Sequence, residues 1–160
     1  MSGALTPRVL RHAFGMFPSG VTAVCALIDD VPVGIAASSF VSVSIEPPLV
    51  SVCVAKTSTT WPVLRRAKQL GISVLSAEHG FVARALSSKT GNRFDCVSWE
   101  STTAGAVLVH GSALWLECNI QQEVDAGDHV IVVLTITSIT SYPDIAPMVF
   151  HSSKFRKLEA

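Results

Sequence analysis

Charge is what this sequence has least of. Lysine and arginine number 12 and aspartate and glutamate 12 among 160 residues, or 15% charged, against about 25% in an average domain. The signs cancel and no basic run stands out, so nucleic acid is not an expected partner. Long apolar runs are missing too. The chain is 49% hydrophobic, yet Ser, Thr, Gly, Pro or a charge interrupts every run well before the ~18 residues of a membrane span. Met1–Leu10 has no hydrophobic stretch of the signal-peptide kind. The expectation is a cytoplasmic protein without a membrane partner. Cys25, Cys53, Cys96 and Cys118 form no C-x-x-C and no Cys/His cluster, so no metal is expected and all four are expected to be buried or half-buried thiols. The histidines, His12, His79, His110, His129 and His151, have no i,i+4 partners. G-x-G-x-x-G, the P-loop, H-E-x-x-H and G-x-S-x-G are all absent, which excludes the common nucleotide-binding and hydrolase motifs.

What is present favours strands. The length suits one domain over residues 1–160, and the hydrophobicity excludes disorder. So little charge on so apolar a chain implies surface hidden in a pocket or against a partner. Val, Ile and Thr make up 41 of 160 residues, and these are the residues that fit a pleated, half-buried surface. Strands are expected at Gly20–Ile28, Gly34–Ser44, Leu49–Ala55, Gly71–Leu75, Val107–Val109, Ala113–Glu123, Val130–Ile139 and Met148–Phe150. Asp29-Asp30 before Val31-Pro32 reads as a hairpin turn. Many short strands with few helices imply a barrel or sandwich. Thr6-Pro7 reads as a cap and first turn, followed by a stripe of Leu10, Ala13, Phe14 and Phe17 that ends at Pro18. A second helix is expected from Thr60 through Leu64 to about Lys68, and a third from Glu78 to Leu86 with Phe81, Val82, Ala85 and Leu86 inward. Core packing is the plain expectation for all three stripes. Ser98–Gly105 reads as a mobile loop.

The oddest stretch is Gly34–Val54, GIAASSFVSVSIEPPLVSVCV, which is apolar yet holds Ser38, Ser39, Ser42, Ser44 and Ser51. A buried hydroxyl without a partner costs about 1–3 kcal/mol. Small residues at 36–39 would let the backbone touch a flat polar ligand, or would simply allow close strand packing. Thr57-Ser58-Thr59-Thr60 ahead of a helix could seat a phosphate, or be an ordinary capping turn. Ser87-Ser88-Lys89 with Arg93 could hold another part of an anion, or be a solvated loop. Gly127-Asp128-His129 opens a very apolar strand; its histidine is a functional candidate, with a purely structural role as the alternative.

Taken together, these stretches resemble the short-chain flavin reductases, FMN-binding split-barrel proteins that serve two-component monooxygenases. The resemblance runs from Leu10 to Leu158. It rests on FGMFPSGVTAVCA at 14–26, the 34–54 block, ARALSSKTGNRFDCVSW at 83–99, LWLEC at 114–118 and GDH at 127–129. It implies a mainly β, Greek-key split β-barrel with a few short helices, assembled as a homodimer. It implies an NAD(P)H:flavin oxidoreductase that passes diffusible reduced flavin to a separate flavin-dependent monooxygenase. Carried over by position, Ala36, Ala37, Ser38 and Ser39 would line the flavin ring, and Cys53, Val54 and Ala55 the next strand. Ser58 and Thr60 would bind phosphate, with Ser87, Ser88, Lys89 and Arg93 close to the phosphate end. His129 would face the nicotinamide as the catalytic residue. Ser73 stands where the family usually has Asn, which shortens a flavin-side hydrogen-bonding group, and Ala36 where relatives often have Thr. FMN and FAD both fit. NADH is expected over NADPH, because no basic cluster for a 2′-phosphate is visible.

Such chemistry belongs to the cofactor pair, and the protein supplies position and polarity. A flat apolar slot, donors near the developing charge and few charged contacts suit a flavin that must leave. The alternative is a split-barrel protein that binds flavin without reductase turnover, as sensor, carrier or redox partner.

Overall fold

The computed structural model describes residues 3–159; Met1, Ser2 and Ala160, which the expected domain also takes in, lie outside them. The chain runs α1 (Pro7–Gly15), β1 (Ser19–Gly20), β2 (Thr22–Ile28), β3 (Val31–Ala37), β4 (Val41–Ser44), β5 (Leu49–Ala55) and the one-turn helix α2 (Trp61–Leu64). It continues through β6 (Leu70–Val74), α3 (Gly80–Ser87), β7 (Trp99–Ser101), β8 (Val107–Val109), β9 (Leu114–Ala126), β10 (His129–Ser141), β11 (Met148–His151) and β12 (Lys154–Lys157). Seven strands form the main sheet in the order β3-β2-β6-β9-β10-β5-β4; β1, β11 and β12 form a second sheet, and β7 with β8 a third.

Local chemistry explains the turns. Asp29 and Asp30 take φ of 51° and 63°, and Ile28 faces Val31 across them. A two-residue hairpin of this hand needs positive φ at both positions, which aspartate tolerates. Alternation explains the core: along β5, Val50, Val52 and Val54 are buried while Ser51, Cys53 and Ala55 are half-exposed. Ala37 of β3, Val52 of β5, Ile72 of β6, Leu116 of β9 and Leu134 of β10 share one apolar cluster. The main sheet therefore curls until its distant strands meet. A second cluster lies beneath α3, where Val82, Ala83 and Leu86 pack with Cys25, Phe94, Val107 and Met148. Here β8 crosses β6 so closely that a Cβ on Gly71 would lie 2.1 Å from the Val107 carbonyl oxygen, which requires glycine.

Several expectations need correction. The Gly34–Ser44 strand breaks after Ala37, and the chain turns at Ser38–Phe40 before β4. The helix expected through Lys68 stops at Leu64, where the chain tightens and the Arg66 and Ala67 amides donate to the Val63 and Leu64 carbonyls three residues back. In α3, Phe81 is exposed and Ala83 takes its inward place. Ser98–Gly105 is a strand and turn rather than a loose loop, with Trp99 facing Val109. The chain also adds β12, entered through Ser152 and Ser153 at φ of 50° and 61°. Cys96 is exposed, unlike the other three cysteines. Finally, α1 is capped as expected, with Val9 N–H donating to Thr6 Oγ1 at 3.3 Å, but its stripe joins no core: Phe14 is 71% and Phe17 79% exposed.

Candidate functional site

The ends of β3 and β5 frame a cleft of about 670 Å³, within the roughly 300–1,000 Å³ typical of small-molecule sites. One wall is Ile35 and Ala36 of β3 with Cys53, Val54 and Ala55 of β5; the other is the segment from Leu86 to Arg93. Thr57, Ser58, Thr59 and Thr60 line one end. A hollow of about 260 Å³ continues it along β3, floored by Ala36, Ala37 and Ser38 and flanked by Arg84, Phe150 and Phe155. Both spaces share Ala36 and Ser87, so together they make one trough with a low floor.

The polar groups of the trough are held from behind. Arg93 donates through Nε to the Ser88 carbonyl at 2.8 Å and through Nη1 to the Gly34 carbonyl at 3.0 Å. Its charge is thus fixed against β3, whereas Lys89 is exposed. Ser87 Oγ donates to Ala83 O and Ser88 Oγ to Thr90 O, at 2.8 and 2.9 Å. Ser58 Oγ accepts the Trp61 amide N–H at 3.1 Å, and the Thr60 carbonyl accepts from Val63 and Leu64. This removes the helix-terminus argument: α2 has four residues and spends its first amide on Ser58, which leaves hydroxyls, and the cations across the cleft, as the polar groups facing that end.

Ten of the expected site residues meet in the cleft: Ala36, Cys53, Val54, Ala55, Ser58, Thr60, Ser87, Ser88, Lys89 and Arg93. Ala37 and Ser38 line the adjoining hollow. Ser39 does something else. Its hydroxyl accepts the Cys53 N–H at 2.8 Å and donates to the Cys53 carbonyl at 3.1 Å, which ties the chain after β3 to β5. Ser73 is not in the cleft wall. It sits fully buried on β6, between β2 and β9, where its Oγ accepts the Val109 N–H at 2.9 Å. His129 faces Ala55 in the β10–β5 register, beside the cleft rather than in its wall. Its Nδ1 lies 2.7 Å from Asp128 Oδ1. Hydrogen bonding by His129, followed by its charge, holds the Asp128 carboxyl below the usual carboxylate range.

Phe150 and Phe155 of the hollow were not among the expected site residues: Phe150 ends an expected strand that carried no assigned role, and the four residues of β12 are too short an alternation to be read as a strand. It quoted Thr57 and Thr59 without assigning them. It also missed Glu123, which accepts the Trp61 indole N–H at 2.9 Å and pairs with Arg65.

A family model described as flavin reductase like domain matches residues 14–159. The chain is 30% identical over 161 residues to the reductase subunit HsaB of a flavin-dependent monooxygenase from Mycobacterium tuberculosis, covering 99% of this chain and 86% of that protein. The NADH:FAD oxidoreductase SgcE6 of Streptomyces globisporus, solved with NAD and FAD fragments, superposes with a TM-score of 0.91 at 35% identity, over 99% of this chain and 98% of that one. BorF, the flavin reductase component of a bacterial two-component tryptophan halogenase, superposes at 0.89 with 33% identity, over 97% and 99%.

The two serines at the break should separate in a denaturant melt. Ser39→Ala leaves the Cys53 amide and carbonyl without their partner and should cost about 1–3 kcal/mol of stability. Ser38→Ala, at an exposed position, should stay within about 0.5 kcal/mol. Equal effects would contradict the bridging role of Ser39.

Proposed function

This chain belongs to the family of flavin reductase like domains, and we propose that it is an NAD(P)H:flavin oxidoreductase that supplies diffusible reduced flavin to a separate monooxygenase. The observation that carries the reading is the trough: a floor of Ala36, Ala37 and Ser38, with hydroxyls at Thr57–Thr60 and the cations Lys89 and Arg93 around its larger part. These residues fit a flavin. A floor without bulk admits a flat ring, and the hydroxyl-rich end with two cations suits the phosphate found in both FMN and FAD. Bound flavin supplies the acceptor for the two electrons and hydrogen of a reduced nicotinamide, and NADH is the donor we favour.

The chain's part is placement. Ala36, Ala37 and Ser38 would keep side-chain bulk off the ring, and Cys53, Val54 and Ala55 would lie along the next strand beside it. Arg93, already held by two carbonyls, offers charge without having to be ordered on binding. The Asp128 contact holds the His129 ring through Nδ1, which would leave Nε2 to hydrogen-bond the nicotinamide amide. With few charged contacts the flavin is held loosely enough to leave. The cytoplasm, which supplies NADH, belongs to the same proposal.

So does a homodimer of Greek-key split barrels. Phe14, Met16 and Phe17 lie exposed together at the end of α1, and Val41, Val43 and Ile45 lie exposed around β4. Such surface suits an isologous interface. Light scattering at micromolar concentration should give twice the chain mass of 17.0 kDa; the single-chain mass would contradict the dimer.

The functional test is NADH oxidation with free FMN or FAD, followed by the loss of NADH absorbance. Turnover many times the protein concentration is expected. His129→Ala should lower kcat/KM for NADH by about 10-fold, about 1.4 kcal/mol of transition-state stabilisation, while flavin affinity changes little. Flavin binding without NADH oxidation would favour a carrier or sensor. Normal NADH kinetics in the variant would make His129 a turn residue only.

A further inference from the structure

Glu123 lies outside the cleft, yet the fold connects it to the cleft's polar end. Simple alternation would turn it outward. Leu116, Cys118 and Ile120 of β9 pack with the core, so Gln122 and Val124 would be next inward. The pairing with β10 slips, however: Leu134 faces Ile120 and Val133 faces Gln122. Gln121 is the extra residue of a bulge, and the faces of β9 exchange beyond it. Thr135 Oγ1 donates to the Gln121 side chain at 2.8 Å across the bulge. Glu123 is thereby set opposite Val132, a fully buried residue, and points the same way.

There its carboxylate meets α2. Oε1 accepts the indole N–H of buried Trp61 at 2.9 Å, and Oε2 takes the Arg65 guanidinium. Arg65 holds the Glu123 carboxyl below the usual carboxylate range, which keeps it an acceptor at neutral pH. From the same Trp61, the amide N–H donates to Ser58 Oγ at 3.1 Å, and Ser58 lines the cleft. A continuous chain of contacts runs from β9 through one tryptophan to a hydroxyl facing the ligand space. Because its lone pair is engaged from behind, the Ser58 O–H is free to donate forward.

We propose that Glu123 is a positioning residue for the flavin phosphate: by fixing Trp61 and Arg65 it fixes Ser58 and the 57–60 loop, and so sets the affinity for the phosphorylated end of the ligand. The proposal rests on the reading of the cleft as a flavin site. A plain staple between α2 and β9 would support the whole fold and affect every flavin alike. A positioning role acts only where there is a phosphate to hold.

Riboflavin, which has the ring and ribityl chain but no phosphate, separates the two. FMN and riboflavin are titrated into the wild-type chain, Glu123→Ala and Glu123→Gln, with flavin fluorescence giving Kd and thermal melting reporting the fold. The wild-type chain should bind FMN more tightly than riboflavin. In Glu123→Ala that preference should shrink by about tenfold, the loss of roughly one charge-assisted hydrogen bond, with riboflavin affinity unchanged. Glu123→Gln retains an acceptor for Trp61 but no charge for Arg65, so it should lose less of the preference; being nearly isosteric, it also serves if the alanine variant does not fold. Variants that keep the wild-type preference, or that lose both flavins by one factor, overturn the proposal and leave the cleft reading standing. A wild-type chain that binds the two flavins equally removes the phosphate reading and this proposal with it.

Discussion

Where a strand must break inside a curled sheet, its backbone groups still need partners. Between β3 and β4 the break comes at Ser38–Phe40, and the Cys53 amide and carbonyl on β5 would be left over. The Ser39 hydroxyl takes both. One side chain thus stands in for a piece of strand, and it ties β3 and β5 together as a single wall of the cleft. The small residues before it can then serve as a floor, because the joint needs no bulky packing to hold it. The nearness of β3 to β5, and so the continuity of that wall, depends on that joint, while Arg93 ties the opposite wall to β3 through the Gly34 carbonyl.

Polarity around the trough follows a consistent plan. Its cations and hydroxyls are largely anchored to the protein's own carbonyls and amides, as Arg93 is to Gly34 and Ser88, and Ser58 is to Trp61. Preordered groups cost little to engage, yet none brings a buried, unpaired charge that would hold an anion strongly. Such a site suits the proposed recognition with release. That is what a reductase requires when its product must travel to another protein.

Much of this was legible in the residues. The alternation of Leu49–Ala55, the aspartate hairpin and the Thr6 cap each rest on local rules, and each local rule agrees with the fold. Small residues, hydroxyls and cations marked Ala36, Ser58, Thr60, Ser87, Ser88, Lys89 and Arg93 as open candidates, and the resemblance of ordered motifs joined them to Cys53, Val54 and Ala55, since residues from β3, β5 and α3 meet only in three dimensions. What escaped was non-local. Ser73 looks like its neighbours in sequence, but its place under β8 fixes it as a core partner of Val109. The outward face of α1 could not be told from a core stripe, because both are apolar at helical spacing. Glu123 was hidden by a bulge, which changes a strand's faces without leaving a mark in the alternation.

Release of the reduced flavin is the central claim, and it can be measured directly. Under anaerobic conditions the chain is mixed with NADH and an excess of FMN, and the solution is passed at once through a membrane that retains protein. Reduced flavin in the filtrate, in amounts many times that of the protein, is the predicted result. Reduced flavin retained with the protein at no more than one per chain, with none in the filtrate, would contradict it.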